Sequence, residues 1–127
     1  MPKAANDDAK ALLARMMRKE LYVILNKTLV APAKLQSKLA AHLAYMIKLE
    51  KRGALFASGP LTDANGDLSG DGLTIVRAES HKAAQSIADG DPFVQADMRK
   101  AEVKRWIVNE GRITVQVDLS DCRGNLR

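Results

Sequence analysis

LYVILNKTLVAPAKLQSKLAAHLAYMIKLEKRG, residues 21–53, holds the change of period on which the fold turns. Its opening, Leu21-Tyr22-Val23-Ile24-Leu25, is a continuous apolar run with β-favouring side chains, the pattern of a buried strand. Pro32 follows and suits the first turn of a helix. From Ala33 to Arg52 the apolar positions recur at a helical interval of about 3.6 residues. Leu35, Leu39, His42, Leu43, Met46 and Leu49 share one face, while Lys34, Ser37, Lys48 and Arg52 fall largely on the other. Gly53 stands where a glycine commonly ends a helix.

Downstream, Ala54 to Leu61 reads as a second strand ending in Ser58-Gly59-Pro60. A polar loop rich in Asp, Asn and Gly spans Thr62 to Asp71, and Leu73-Thr74-Ile75-Val76 returns as a third strand in a long-looped hairpin. Ser80 can cap a helix through Ala88, Gly90 breaks it, and Asp91-Pro92 can start a short further helix. Val103 to Asn109 is the fourth strand. Arg112 to Leu119 alternates, with Ile113, Val115, Val117 and Leu119 set against Arg112, Thr114, Gln116 and Asp118, which predicts a fifth strand with one buried face. Upstream, Met1 to Lys19 reads as a helical arm that Asp7 and Asp8 can cap. Leu12, Leu13, Met16 and Met17 form its apolar stripe, to pack on its own domain or a sister subunit, or less simply on a membrane surface.

The order βαββαβ folds most simply as an α+β domain, an antiparallel ferredoxin-like sheet with helices on one side. No internal repeat or interdomain linker interrupts it. The expected organisation is an arm over residues 1–19, the α+β domain over 20–110 and a C-terminal strand and tail over 111–127. The uncovered face of such a sheet would be closed by a second copy, so a homodimer or higher homo-oligomer is expected.

Length and composition bound the function classes. A chain of 127 residues supports a single hydrophobic core, and 46% apolar with 28% charged residues is ordinary for a globular protein. No apolar run approaches the ~20 residues a membrane span needs. There is no apolar core of a signal peptide near the N-terminus, Asp7 and Asp8 argue against a transit peptide, and the lone Cys122 has no internal disulfide partner. These features point to a cytoplasmic protein. The net charge of +5 is spread along the chain, and only five aromatic residues accompany it. A nucleic-acid binder usually clusters its basic residues and interleaves stacking aromatics, so nucleic acid is not the expected partner. A mild positive excess suits small anionic ligands.

His42 is the first candidate for chemistry. It lies in the apolar stripe of the first helix, so its ring nitrogens need partners in the interior. Two readings stand side by side: a core histidine bonded to a backbone carbonyl or a serine, and a general base. Asp91, in Gly90-Asp91-Pro92-Phe93, also has two readings: the N-cap of a short helix, and the carboxylate that orients His42. Ser58, ahead of Gly59 and Pro60, offers a pocket hydroxyl. No serine lies in a G-x-S-x-G elbow, which disfavours a Ser-His-Asp hydrolase. Asp63-Ala64-Asn65-Gly66-Asp67 imitates the opening of a calcium loop but has Leu68 at the glycine position and Thr74 at the position of the bidentate glutamate. His42, His81 and Cys122 lack the spacing of zinc ligands, His81 is expected at the surface, and Cys122 has no nearby histidine to activate it. No metal or cofactor is expected, and no glycine-rich phosphate loop is present.

The residues resemble the YCII-related proteins from about Leu21 to Asn109. The likeness rests on Leu21-Tyr22-Val23-Ile24, His42-Leu43, Arg52-Gly53-Ala54-Leu55 leading into Ser58-Gly59-Pro60-Leu61, Gly72-Leu73-Thr74-Ile75-Val76, Glu79-Ser80-His81-Lys82-Ala83-Ala84 and Asp89-Gly90-Asp91-Pro92-Phe93. The resemblance implies a ferredoxin-like domain that pairs by sheet stacking into a dimeric α+β barrel. It also implies a histidine–aspartate dyad at His42 and Asp91. Ser58, Gly59, Pro60 and Phe93 are the expected substrate-binding residues. Family members often carry an arginine three residues before the histidine, where this chain has Leu39 with Lys38 beside it. The arm and the strand from Arg112 lie outside the family core. The implied function is an isomerase or lyase moving a proton on a small lactone-, quinone- or phenol-like substrate; the alternative is a non-catalytic ligand-binding or assembly module.

Overall fold

A computed structural model describes residues 2–126, with side chains from Asp8 onward. The chain divides into two compact units, Glu20–Ile107 and a unit formed from both chain ends. In chain order the elements are α1 (Pro2–Ala14), β1 (Lys19–Thr28), a 3-10 turn (Pro32–Leu35), α2 (Gln36–Lys51), β2 (Leu55–Thr62), β3 (Leu68–Val76), α3 (His81–Asp89), α4 (Pro92–Gln95), β4 (Arg99–Val108), β5 (Val115–Asp118) and β6 (Arg123–Leu126). The larger unit is an α+β domain of βαββαβ order. Its sheet runs β2-β3-β1-β4, the ferredoxin-like arrangement, with β3 antiparallel to both neighbours.

Strand register sorts the side chains onto two faces. Tyr22 pairs with Val76, Ile24 with Thr74, and Ser58 with Thr74. Tyr22, Ile24, Val76 and Val103 form one core with Met46 and Leu49 of α2 and Ala84, Ile87 and Ala88 of α3. That is the helix-covered face. Burying a large apolar side chain of this kind contributes roughly 1.5–3 kcal/mol, and Phe93, Leu21, Ile24, Leu49 and Val76 are the largest that are fully enclosed. The intervening residues, paired as Val23 with Ile75 and Leu25 with Leu73, point to the other face, where they remain partly exposed.

The helix expected over Ala33–Arg52 opens as the 3-10 turn at Pro32 and becomes α-helical at Gln36. Leu35, His42, Met46 and Leu49 are buried along it, but Leu43 is exposed. Leu43 sits on the flank of the seam, beside a cavity and not against the sheet. The polar loop expected over Thr62–Asp71 is shorter than the composition indicates. The Asp63 carboxylate accepts from the backbone N–H groups of Asn65 and Asp67 at 2.8 and 3.1 Å, closing a tight turn. The residues that imitate a calcium loop therefore build a turn, and β3 starts at Leu68 instead of Leu73.

Other boundaries also move. Asp8 lies inside α1 and not at its cap, and the cap expected of Asp7 falls outside the described side chains. Helix α1 ends before Met16 and Met17, and Leu12, Leu13 and Met17 are exposed. The extra C-terminal strand is present as β5, shorter than Arg112–Leu119, and it pairs antiparallel with β6 in what reads as tail. Cys122, at φ 56°, turns the chain between the two strands. Ile113, Val115 and Val117 are exposed in the single chain, without the buried face that their alternation predicts. Among the described residues no helix is long and apolar enough to cross a membrane.

Gly70 marks where β3 departs from a regular strand. Its φ is +91°, and a Cβ there would lie 2.9 Å from Thr28 Cγ2. Gly70→Ala should therefore cost about 1–3 kcal/mol. Gly59→Ala, with nothing within 4 Å of its added methyl group, should change stability by less than about 0.5 kcal/mol. Equal urea midpoints for the two variants would contradict this account of the strand.

Candidate active site

Two side chains that sequence places 49 residues apart meet inside the larger unit. His42 projects from the middle of the buried face of α2. Asp91 occupies the turn between α3 and α4. Its carboxylate caps α4 by accepting from Phe93 N–H at 3.0 Å, and Pro92 supplies the first helical position. The same carboxylate lies 2.9 Å through Oδ1 and 3.1 Å through Oδ2 from His42 Nδ1. Capping and contact with the histidine are thus two uses of one group. His42 is bonded to a carboxylate and to no serine or carbonyl among the described residues.

Tyr45, one turn further along α2, holds this geometry. Its hydroxyl donates to Ile87 O at 2.7 Å, fastening α2 to the end of α3. A Cβ at Gly90 would lie 2.5 Å from the Tyr45 oxygen, so residue 90 must lack a side chain for the two helices to meet here. Burial pushes the Tyr45 hydroxyl above its ordinary value, Arg52 works against this and Asp91 adds to it. The phenol is therefore a neutral donor.

With Nδ1–H donating to Asp91, the neutral imidazole carries its free lone pair on Nε2. Among the described residues Nε2 has no hydrogen-bond partner, yet it is not sealed in. Among the described residues the buried side-chain atoms without partners are Asn26 Oδ1 and Asn109 Oδ1. His42 opens instead onto a cavity of about 660 Å³ between α2 and the outer half of β2–β3. Leu39, Leu43, Met46 and Ile47 form its apolar side. Ser58, Gly59, Pro60 and Phe93 also line it, whereas Asp91, only 3% exposed, stands behind His42. Ser58 Oγ lies 2.9 Å from Thr74 Oγ1, so the pocket hydroxyl is one of a pair. Phe93 stacks on the imidazole with centroids 4.5 Å apart and planes at 24°.

Arg99 also lines this cavity, and sequence reasoning does not single it out. It begins β4 four residues before the Val103 start that the apolar pattern indicates, so it reads as a loop residue. Its Nε–H donates to Gly70 O at 2.9 Å and its guanidinium lies 4.6 Å from the centre of the Phe93 ring. Of the other candidates, His81 is exposed and lies 3.1 Å through Nε2 from Val103 O, and Cys122 is exposed. Neither joins the site.

Removing the carboxylate tests how much it holds. Asp91→Ala leaves Phe93 N–H and the buried His42 Nδ1–H without acceptors, and should cost about 1–3 kcal/mol. Asp91→Asn keeps an oxygen for Phe93 N–H and an amide N–H that His42 Nδ1 can accept in its other tautomer, and should cost distinctly less. Urea denaturation of the two variants checks the order; an Asp91→Ala protein as stable as the wild type would mean that neither bond supports the fold.

Comparison with solved structures finds 5-chloro-2-hydroxyhydroquinone dehydrochlorinase (TftG) from Burkholderia phenoliruptrix AC1100, in complex with 2,5-dihydroxybenzoquinone. It is similar at a TM-score of 0.56 and 27% identity, over 68% of this chain and 92% of that one. SnoaB, a cofactor-independent oxygenase from Streptomyces nogalater, is similar at a TM-score of 0.42 and 15% identity, over 72% of this chain and 94% of that one. No curated protein matches the sequence. Residues 17–107 match the YCII-related domain, a span that includes the whole sheet core, His42, Asp91 and the cavity walls, and the chain belongs to the YCII-related family.

Proposed function

We propose that the protein is a small-molecule enzyme of the lyase or isomerase kind, with His42 as the base and Asp91 as the residue that orients it. The observation that carries this reading is the short His42 Nδ1–Asp91 contact at the wall of an apolar cavity, with Nε2 left free. Nε2 would take a proton from a ring carbon or hydroxyl of the substrate. The resulting imidazolium would be stabilised by the carboxylate already bonded to its other nitrogen. Returning the proton to a different atom of the same substrate completes an isomerisation. If the electron pair left behind forms a double bond as a neighbouring leaving group departs, the reaction is an elimination. The dehydrochlorinase among its structural relatives, bound to a dihydroxybenzoquinone, supports a quinone- or phenol-like ring as substrate. Lactones present the same kind of proton beside a carbonyl. Ser58, Gly59, Pro60 and Phe93 would bind that ring, and residues 20–110 would be the catalytic domain.

The substitution that separates orientation from charge is Asp91→Asn. Asp91 contacts Nδ1 through both oxygens, so the amide places an NH₂ against Nδ1 and favours the tautomer with its proton on Nε2. That tautomer has no base facing the cavity. Across a panel of chlorohydroquinones, hydroxyquinones and lactones, His42→Asn and Asp91→Asn should each lower kcat by about 10²-fold or more. The urea midpoint of either variant should stay near that of the wild type, and the double variant should lose little more than either alone. Full turnover by His42→Asn would sink the proposal. Binding of the panel without turnover by the wild type would favour a ligand-binding module.

We further propose that two copies pair through the open face of the sheet, burying Val23, Leu25, Ala57, Leu73 and Ile75. Leu25 is 37% exposed in the single chain and its neighbours are partly so, an apolar surface with no covering layer of its own. Sedimentation should give twice the 13.8 kDa mass of the chain at micromolar concentration. Leu73→Glu should shift it toward the monomer, and a wild-type monomer would refute this pairing.

A further inference from the structure

The cavity contains a permanent charge that proton transfer by His42 and Asp91 does not use. Arg99 is 7% exposed, and among the described residues no carboxylate lies within the 4.0 Å of a salt bridge to it. Of its five N–H groups, the one on Nε is used by Gly70 O. The Nη nitrogens, with the other four, have no protein partner among the described residues and are not sealed from solvent. Arg99 is among the residues that line the cavity, as are Gly70 and Gly72 beside its guanidinium. A buried cation without a counter-ion is costly, and the ring of Phe93 and the more distant Asp91 and Asp71 offset only part of that cost.

Space for this guanidinium is provided by β3. A Cβ at Gly72 would lie 2.9 Å from Nη1, and Gly70 contributes the carbonyl that fixes Nε. A side chain at Gly72 would occupy the place of the guanidinium, whereas one at Gly70 would meet Thr28. Among the described residues the rest of the wall holds no second fixed cation: Leu39 and Leu43 are apolar and Glu50 is the other charged group. Phe93 touches both the imidazole and the guanidinium, so one ring sets the base and the cation in the same pocket.

We propose that Arg99 is the anion-binding residue of this cavity, and that the substrate is a planar ring carrying an ionised oxygen, a phenolate or enolate, held by the Arg99 fork while His42 faces the ring. This rests on the reading of the cavity as the substrate site and adds the charge state of the substrate to it. A planar guanidinium with two free Nη groups matches an oxygen anion in a way that an ammonium does not.

The test is equilibrium binding by titration calorimetry of 2,5-dihydroxybenzoquinone, a vinylogous acid ionised at neutral pH, and of its neutral dimethyl ether, 2,5-dimethoxybenzoquinone. The exposed Cys122 is changed to Ser throughout, to remove thiol addition to the quinone. The wild-type site should prefer the anion by about tenfold or more. Arg99→Gln should abolish that preference with little effect on the neutral ether, and Arg99→Lys should keep part of it. His42→Asn should leave the preference intact, which separates anion binding from proton transfer. Should Arg99→Gln fail to fold, the wild-type preference and its partial loss in Arg99→Lys decide the matter. Equal binding of the two compounds, or a preference that survives Arg99→Gln, overturns the inference while leaving the His42–Asp91 proposal standing. Binding of neither compound overturns both the inference and the reading of the cavity as a ring site.

Discussion

The carboxylate of Asp91 is the constraint on which the arrangement of the helices depends. It is almost fully buried, and it satisfies a backbone N–H at the start of α4 and the imidazole of α2 together. A buried carboxylate is tolerated only where such donors converge on it, and here each donor comes from a different element. The end of α3, the start of α4 and the middle of α2 must therefore meet at one point. Tyr45 and Gly90 secure the same junction from the next turn of α2. The imidazole is thus oriented by interactions that also hold the helices together, the rigid support that the proposed proton transfer would need.

The cavity has a complementary origin in the sheet. Helix α2 packs its lower seam, Met46 and Leu49, on Tyr22, Ile24 and Val76. Toward the other end the sheet offers Gly70, Gly72 and Thr74 on the same face, and the cavity lies between them and α2. Small residues on one half of a strand and large ones on the other convert a continuous interface into half core and half pocket. The backbone bends with it: pairing between β2 and β3 is irregular beyond Pro60, and Gly70 lies at a positive φ.

What could be read in the chain follows from how local each signal is. The apolar run at Leu21 and the helical period of Ala33–Arg52 are properties of neighbouring residues, and they gave the element order and hence the fold class. Asp91-Pro92 announced a cap for the same reason, and Ser80 a second one, whose side chain accepts from Ala83 N–H at 3.1 Å. Leu68 to Gly72 carried no such signal. Two glycines and an aspartate have weak strand preference, and pairing with β2 is what makes them a strand. Arg99 was illegible for a related reason. An arginine at the edge of a polar segment reads as surface, and only the empty volume above Gly72 lets it turn inward. The alternation of Arg112–Leu119 marks a strand, of which Val115–Asp118 form β5, but alternation cannot say whether the strand doubles back on a second one.

Charge in the cavity is arranged so that each charge created by the proposed proton transfer meets an opposite one. Before transfer the site holds the Asp91 carboxylate, a neutral imidazole and the Arg99 guanidinium. A proton moving to Nε2 leaves an imidazolium against Asp91 and one more negative charge on the ligand. That new charge faces Arg99 in the arrangement proposed above, so both products of the transfer have opposite charges already in position. In a poorly hydrated site such fixed partners are worth far more than solvent dipoles that must first reorient. Burial weakens the hold of Arg99 on its proton, and Asp91, at a distance, counters part of that effect. The carboxylate that organises the helices is thereby placed to stabilise the imidazolium that the proposed transfer forms, and at longer range it offsets part of the cost of burying Arg99.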